Sequence, residues 1–184
     1  MWVWRVVPRL SVMSHNHFAL LGLEPSFIIE DQTLHQRYGQ LQRQFHPDRF
    51  IHASGVEKLQ AQQQSVDINQ AYQTLRDPLK RGFHLVEILG GTLPAYTTTD
   101  ATILIESMEQ REALEEATTP LDLQHLLTEN TTLQNTAKTA IAQAFAAHNL
   151  EKATTHLLRL QYITKFAADI ARKQESLSHV TANS

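Results

Sequence analysis

Cysteine is absent from this 184-residue chain, which excludes a disulfide framework, a thiolate metal site, a thiol nucleophile and any cysteine-ligated cluster held by the chain itself. No basic run or aromatic-basic stripe recurs, and a formal charge of -3 is spread over both signs, so nucleic-acid binding lacks its electrostatic footprint. Long apolar runs are missing as well. The apolar opening stretch, residues 1–12, is broken by Arg5, Pro8 and Arg9, and neither a membrane span nor a secretory h-region is expected there. Globular patterning begins only after Met13, so residues 1–13 are read as a disordered extension and Met13 as the natural start.

What is present is ordinary for a soluble globular protein, with 42% apolar and 19% charged residues. The length suffices for one medium domain or two small ones. Ten histidines are scattered along the chain; His15/His17 and His46/His52 lack carboxylates at ligand spacing, so neither a metal site nor a cofactor is expected.

No alternation of apolar and polar residues reaches strand length, whereas spacings of three and four dominate after residue 18. The expected fold is all-α. Phe18 to Leu21 make a short helix stopped at Gly22. Asp31 is expected to cap the next helix, whose apolar positions Leu34, Tyr38, Leu41 and Phe45 form a stripe roughly 60° wide. A stripe so narrow suits one partner helix. That partner is expected from about Val56 to Arg76, with Ala61, Ser65, Ile68, Ala71, Tyr72 and Leu75 on one face, giving an antiparallel hairpin. Asp77-Pro78 ends it, and a short helix through Leu79, Phe83, Val86 and Leu89 closes the core.

Gly90-Gly91, Pro94 and Thr97-Thr98-Thr99 mark the clearest break. The expected organisation is a first domain at 14–89, a linker at 90–99, a three-helix bundle at 100–175 and a disordered tail at 176–184. Within the bundle, Thr99 or Asp100 starts a helix to about Ala117, Pro120 opens the second, and Asn149 separates that from a third ending near Lys173. Leu123, Leu126, Leu133, Ala137, Ala140 and Ala144 are the expected seam of the middle helix, and Leu157, Leu160, Thr164 and Ala167 that of the last.

Between the paired helices lies His46-Pro47-Asp48-Arg49-Phe50. Proline fixes its own φ and biases His46 out of the helix, so the loop tip is expected to be rigid and to hold Asp48 outward. An exposed carboxylate so held can accept a forked bond from a partner's arginine. Arg37, Gln40, Arg43 and Gln44 occupy the polar side of the preceding helix and form a basic docking face. Taken alone, these residues also fit a helix stop beside a solvated face.

Their setting narrows the reading. The tripeptide between two helices of these lengths, followed by Ile68-Asn69-Gln70-Ala71-Tyr72-Gln73-Thr74-Leu75-Arg76-Asp77-Pro78, resembles the J-domain of the DnaJ family over roughly residues 15 to 88. The resemblance implies that His46, Pro47 and Asp48 stimulate ATP hydrolysis by a DnaK-type chaperone. The string Leu41 to Phe50, with Gln63-Gln64-Ser65 and Leu75 to Arg81, is similar to the HscB branch, as is a helical bundle directly behind the J-domain. That likeness implies a co-chaperone that brings the iron–sulfur scaffold IscU to the chaperone HscA, in the cytoplasm. Some eukaryotic relatives carry an N-terminal cysteine-based zinc module; its absence favours the bacterial type.

In the helix from Asp100 to Ala117, Ile103, Leu104 and Ile105 cannot all face one core at about 100° per residue. Ile103, Ser107, Gln110 and Leu114 make the expected inward face, leaving Leu104, Ile105 and Met108 beside Glu109, Glu112 and Glu116. Two readings of the residues stand level: a protein-binding surface, or a helix buried on two sides against the other domain. The segment Leu104 to Leu114 also resembles the scaffold-binding helix of HscB. This implies scaffold contacts at Leu104, Ile105, Met108, Glu109, Glu112, Glu116 and, on the last helix, Tyr162, which stands where the family commonly has phenylalanine. Ile105 replaces a longer side chain. Two other functions compete with this one: a generic J-domain adaptor for another client, and an enzyme using His46 and Asp48. The second is weak, because Pro47 is expected to prevent a triad-like bond between them and no nucleophile or phosphate-binding glycine loop accompanies them.

Overall fold

The computed structural model describes residues 16–93, 98 and 100–182. The expected extension at 1–13, and Pro94, Thr97 and Thr99 of the expected linker, lie outside the described residues. Among the described residues every regular element is helical, and the chain divides into two compact units that meet between Ile88 and Leu89.

The first unit starts with α1, His17–Leu20, capped by Asn16, whose side chain accepts from the Ala19 amide at 3.1 Å. Gly22 ends the turn at φ +64°, a left-handed value that favours glycine. Helix α2, Asp31–Gln44, departs from expectation at its start: Glu30 is the N-cap residue and makes no side-chain cap bond, while Asp31 sits inside the first turn. Helix α3, Gly55–Arg76, is opened by a capping box. The Glu57 carboxylate accepts the Ser54 amide at 2.8 Å, and that bond, followed by the one from the Ser54 hydroxyl, holds its pKa below the usual value.

Helices α2 and α3 run antiparallel. Tyr38 stacks on Tyr72 with ring centroids 4.1 Å apart, and Tyr38 Oη and Gln42 Nε2 both donate to Asn69 Oδ1, at 2.8 and 2.9 Å. Leu34, Ala61, Ile68, Ala71 and Leu75 are buried between the elements, together with Phe18, Leu21 and Phe27. Asp77 stops α3 in an extended conformation and caps α4, Pro78–Ile88, accepting the Leu79 amide at 2.8 Å.

Helix α4 buries Val86 and half-buries Leu79 and Phe83 on the expected face, but that face does not extend to Leu89 and takes in neighbouring residues instead. Leu89 is 49% exposed, while Arg81, His84, Leu85 and Val86 are buried. The reason is polar: Arg81 Nη1 donates to the Leu75 carbonyl at 2.8 Å, its guanidinium lies 5.5 Å from the Phe27 ring centroid, and burial lowers its pKa against the opposing pull of Asp31 and Asp77. Arg81→Ala is therefore expected to destabilise this unit by about 2 kcal/mol, the usual scale for losing a charge-assisted bond. Urea denaturation followed by circular dichroism checks this, and an unchanged midpoint would refute it.

The second unit is a bundle of α5, Ala101–Glu116, α6, Pro120–Ala146, and α7, Leu150–Ala182. Asp100 caps α5 through the Thr102 amide at 2.9 Å, Pro120 stands at the first turn of α6 behind a Thr119/Asp122 capping box, and Asn149 Oδ1 accepts the Lys152 amide at the start of α7. Arg159 of α7 pairs with Glu106 of α5, and Lys173 reaches the Leu114 and Glu115 carbonyls, so α5 and α7 run in the same direction.

Two expectations for the bundle are corrected. Helix α7 continues to Ala182 rather than ending near Lys173, because Leu177 packs on the cluster of Ala117, Leu123, Phe166 and Ile170; residues 176–182 of the expected disordered tail are helical. Its seam keeps the expected Leu157 and Leu160 but is completed by Ala153, Ile163, Phe166 and Ile170, whereas Thr164 is exposed and Ala167 only half-buried. The middle helix buries Leu123, Ala137 and Ala144 as expected, but also Ile141 and Asn130.

Candidate functional site

The loop that connects α2 to α3 forms a 3-10 turn, Pro47–Phe50. His46 leads into it in an extended conformation, and its Nδ1 accepts the Asp48 amide at 3.3 Å. Asp48 Oδ2 lies 3.5 Å from the same nitrogen. Pro47 thus leaves the two side chains adjacent but without a triad-like hydrogen bond between them, as expected. It makes a tight tip in which the imidazole nitrogen nearest the carboxylate already accepts a backbone proton, and so is not a donor to the carboxylate. Arg49 Nη1 reaches back to the Arg43 carbonyl at 3.4 Å. Phe45 and Phe50 line a hollow with Ala61 of α3.

The tip is anchored on one side and open on the other. The Asp48 side chain is 80% exposed and that of His46 55%, so the carboxylate is displayed to solvent. Arg37, Arg43 and Gln44 are all exposed on α2. The structure places the basic residues on the helix that leads directly into the tip, and Lys58 and Gln62 of α3 share an open hollow with Asp48. Sequence reasoning missed Lys58 and Gln62, which carry no motif.

In the second unit Ile103 is buried, while Leu104, Ile105 and Met108 are 39%, 56% and 70% exposed. Glu109, Glu112 and Glu116 are exposed beside them. Tyr162 is half-buried on α7, three residues after Arg159. Arg159 Nε and Nη2 grip the Glu106 carboxylate at 2.8 and 2.7 Å and fix α5 against α7. The apolar residues therefore stand on a braced helix. Among the described residues no group of three or more histidines or carboxylates is positioned to hold a metal ion, and no helix is long and apolar enough to cross a membrane.

A helical hairpin carrying an outward His-Pro-Asp tip, joined in sequence to an α-helical bundle, defines a J-domain co-chaperone, and residues 16–83 match the family model of the DnaJ domain. Residues 99–171 match the model described as the HSCB C-terminal oligomerisation domain. The chain belongs to the HscB family of co-chaperones. It is 33% identical over 171 residues to a co-chaperone protein HscB homolog of Shewanella loihica, covering 88% of this chain and 99% of the relative. A homolog from Vibrio cholerae is 34% identical over 168 residues, covering 88% and 98%. Among solved structures, the human co-chaperone protein HscB aligns with a TM-score of 0.83 at 30% identity, covering 91% of this chain and 85% of that one. The chaperone HscB from Vibrio cholerae aligns at 0.79 and 32%, covering 88% and 99%.

Proposed function

We propose that this co-chaperone serves iron–sulfur cluster assembly in the cytoplasm, binding an IscU-type scaffold with its second unit and delivering it to an HscA-type chaperone of the DnaK family, whose ATP hydrolysis the first unit stimulates. The observation that carries the reading is likeness to HscB proteins along 88% of the chain, spanning both units. Each unit offers a surface of matching chemistry.

On the first unit, Arg37, Arg43 and Gln44 steer an acidic face of the chaperone onto α2, and the docked chaperone then meets His46-Pro47-Asp48. An arginine of the chaperone forks onto the Asp48 carboxylate, which the stiff tip holds ready. The co-chaperone performs no chemistry itself in this scheme; its contribution is to favour the chaperone conformation that hydrolyses ATP. On the second unit, Leu104, Ile105 and Met108 supply apolar burial to the scaffold, Tyr162 adds aromatic contact, and Glu109, Glu112 and Glu116 set its orientation.

The test is ATP turnover by an HscA-type chaperone with this chain, with and without scaffold. Stimulation by the chain alone, raised further by scaffold, is expected. Stimulation that scaffold leaves unchanged would favour an adaptor for another client. The docking face is checked separately. Arg37→Glu or Arg43→Glu is expected to weaken chaperone binding by about 1 kcal/mol, roughly fivefold, and rising salt should weaken the wild type in the same direction. Surface-plasmon titration across salt concentrations measures both, and salt-independent binding would count against the face.

A further inference from the structure

The second unit contains a cleft, apolar over much of its lining but carrying several charged and amide groups, that the apolar patch does not explain. Its volume is about 320 Å³, at the small end of the range for ligand pockets, roughly 300–1,000 Å³. Helix α5 leans on α7 and touches α6 only lightly, so the cleft opens between α5 and α6. Glu106 and Glu109 form one wall, Glu129 and Asn130 the other, and Arg159 and Phe166 complete it from α7.

The charges do not balance. Arg159 is committed to Glu106 through both of that carboxylate's oxygens, and neither Glu109 nor Glu129 has an ion-pair partner among the described residues. The cleft therefore keeps two carboxylates without an ion-pair partner at its walls, a setting that attracts a cation. Asn130 is the second and independent observation. It is 1% exposed, and both its Oδ1 and its Nδ2 lack a hydrogen-bond partner. Burying an amide in this way costs stability, and a leucine on this face of α6 would avoid that cost. Such a residue fits a place where the amide meets a group brought from outside.

We infer that the cleft is a receptor for one cationic side chain, an arginine or lysine, of the scaffold protein that docks on Leu104, Ile105 and Met108. The inference rests on the proposed scaffold-binding role and extends the site from an exposed patch to a pocket. Glu109 connects the two, since it follows Met108 of the patch and also lines the cleft. A partner laid on the patch thus reaches the rim with its basic side chain. The cationic head donates to Asn130 Oδ1 in the interior and to the Glu109 and Glu129 carboxylates at the walls. Its aliphatic stem lies against Phe166, and Asn130 Nδ2 donates to a water carried in with the head.

The experiment is calorimetric titration of scaffold into the full chain bearing Glu129→Gln or Asn130→Leu, with thermal unfolding of each variant. Both are expected to weaken scaffold binding about tenfold, and Asn130→Leu is expected to raise the unfolding midpoint. Glu129 is exposed on α6, so its variant decides the matter if Asn130→Leu folds poorly. Native scaffold affinity in folded Glu129→Gln overturns the inference, as does a lowered midpoint with unchanged binding in Asn130→Leu. Titration with agmatine, a free guanidinium compound, is the second arm. Agmatine binding that Glu129→Gln abolishes while scaffold affinity stays native would assign the cleft to a free cation and overturn the partner assignment. The docking reading fails separately: wild-type chain that does not bind scaffold refutes it, whereas loss of binding in Met108→Ala with native binding in both cleft variants refutes the cleft alone.

Discussion

Asp48→Asn is expected to abolish stimulation of the chaperone's ATPase, returning turnover to the rate of the chaperone alone, while helical content and unfolding stay at wild-type values. The substitution keeps the shape of the side chain and removes only its charge and half of its accepting capacity. Because the side chain is 80% exposed, the folded chain has little to lose. The whole effect should fall on a forked bond to the partner, which asparagine cannot accept through both terminal atoms. His46→Gln is expected to give the same loss with a small structural component, since the imidazole accepts the Asp48 amide at 3.3 Å and helps shape the tip. That bond is worth about 1 kcal/mol at most in so exposed a place. Steady-state ATP turnover against co-chaperone concentration checks both variants. Normal stimulation by Asp48→Asn would remove the loop from the mechanism.

The features that were legible in sequence are those fixed by local chemistry. Gly22, Pro78, Pro120 and Asn149 each mark a helix end because φ preference, a missing amide or a side-chain cap acts within a few residues. The division of α5 was legible for the same reason, since its period left Leu104, Ile105 and Met108 with no place beside Ile103. Features set by distant partners were not. Arg81 is buried because the Leu75 carbonyl and the Phe27 ring receive it, and apolar periodicity alone selected Leu89 instead. The end of α7 depends on Leu177 meeting Ala117, Leu123, Phe166 and Ile170. Asn130 reads as an exposed polar residue in a threonine-rich helix, and only the packing of three helices places it inside.

The triple substitution Leu104→Ala, Ile105→Ala and Met108→Ala is expected to cost about 2 kcal/mol or more in scaffold affinity, a loss of thirtyfold or so. The three side chains are 39%, 56% and 70% exposed in the free chain, so truncation leaves no core cavity, and alanine suits an exposed helix position better than any other residue. Stability should therefore hold or rise, which separates lost contact from lost fold. The inward face of α5 is untouched, because Ile103 stays buried and the Glu106–Arg159 pair still braces the helix. Basal stimulation of the chaperone should survive, since His46-Pro47-Asp48 belongs to the other compact unit. What should vanish is the further stimulation when scaffold and co-chaperone are added together, because that gain needs cargo held at high effective concentration by its carrier. ATP turnover with and without scaffold, beside calorimetric titration of scaffold into the variant, measures both effects. Unchanged scaffold binding would sink the assignment of the patch, and loss of basal stimulation would show that the two units do not act independently.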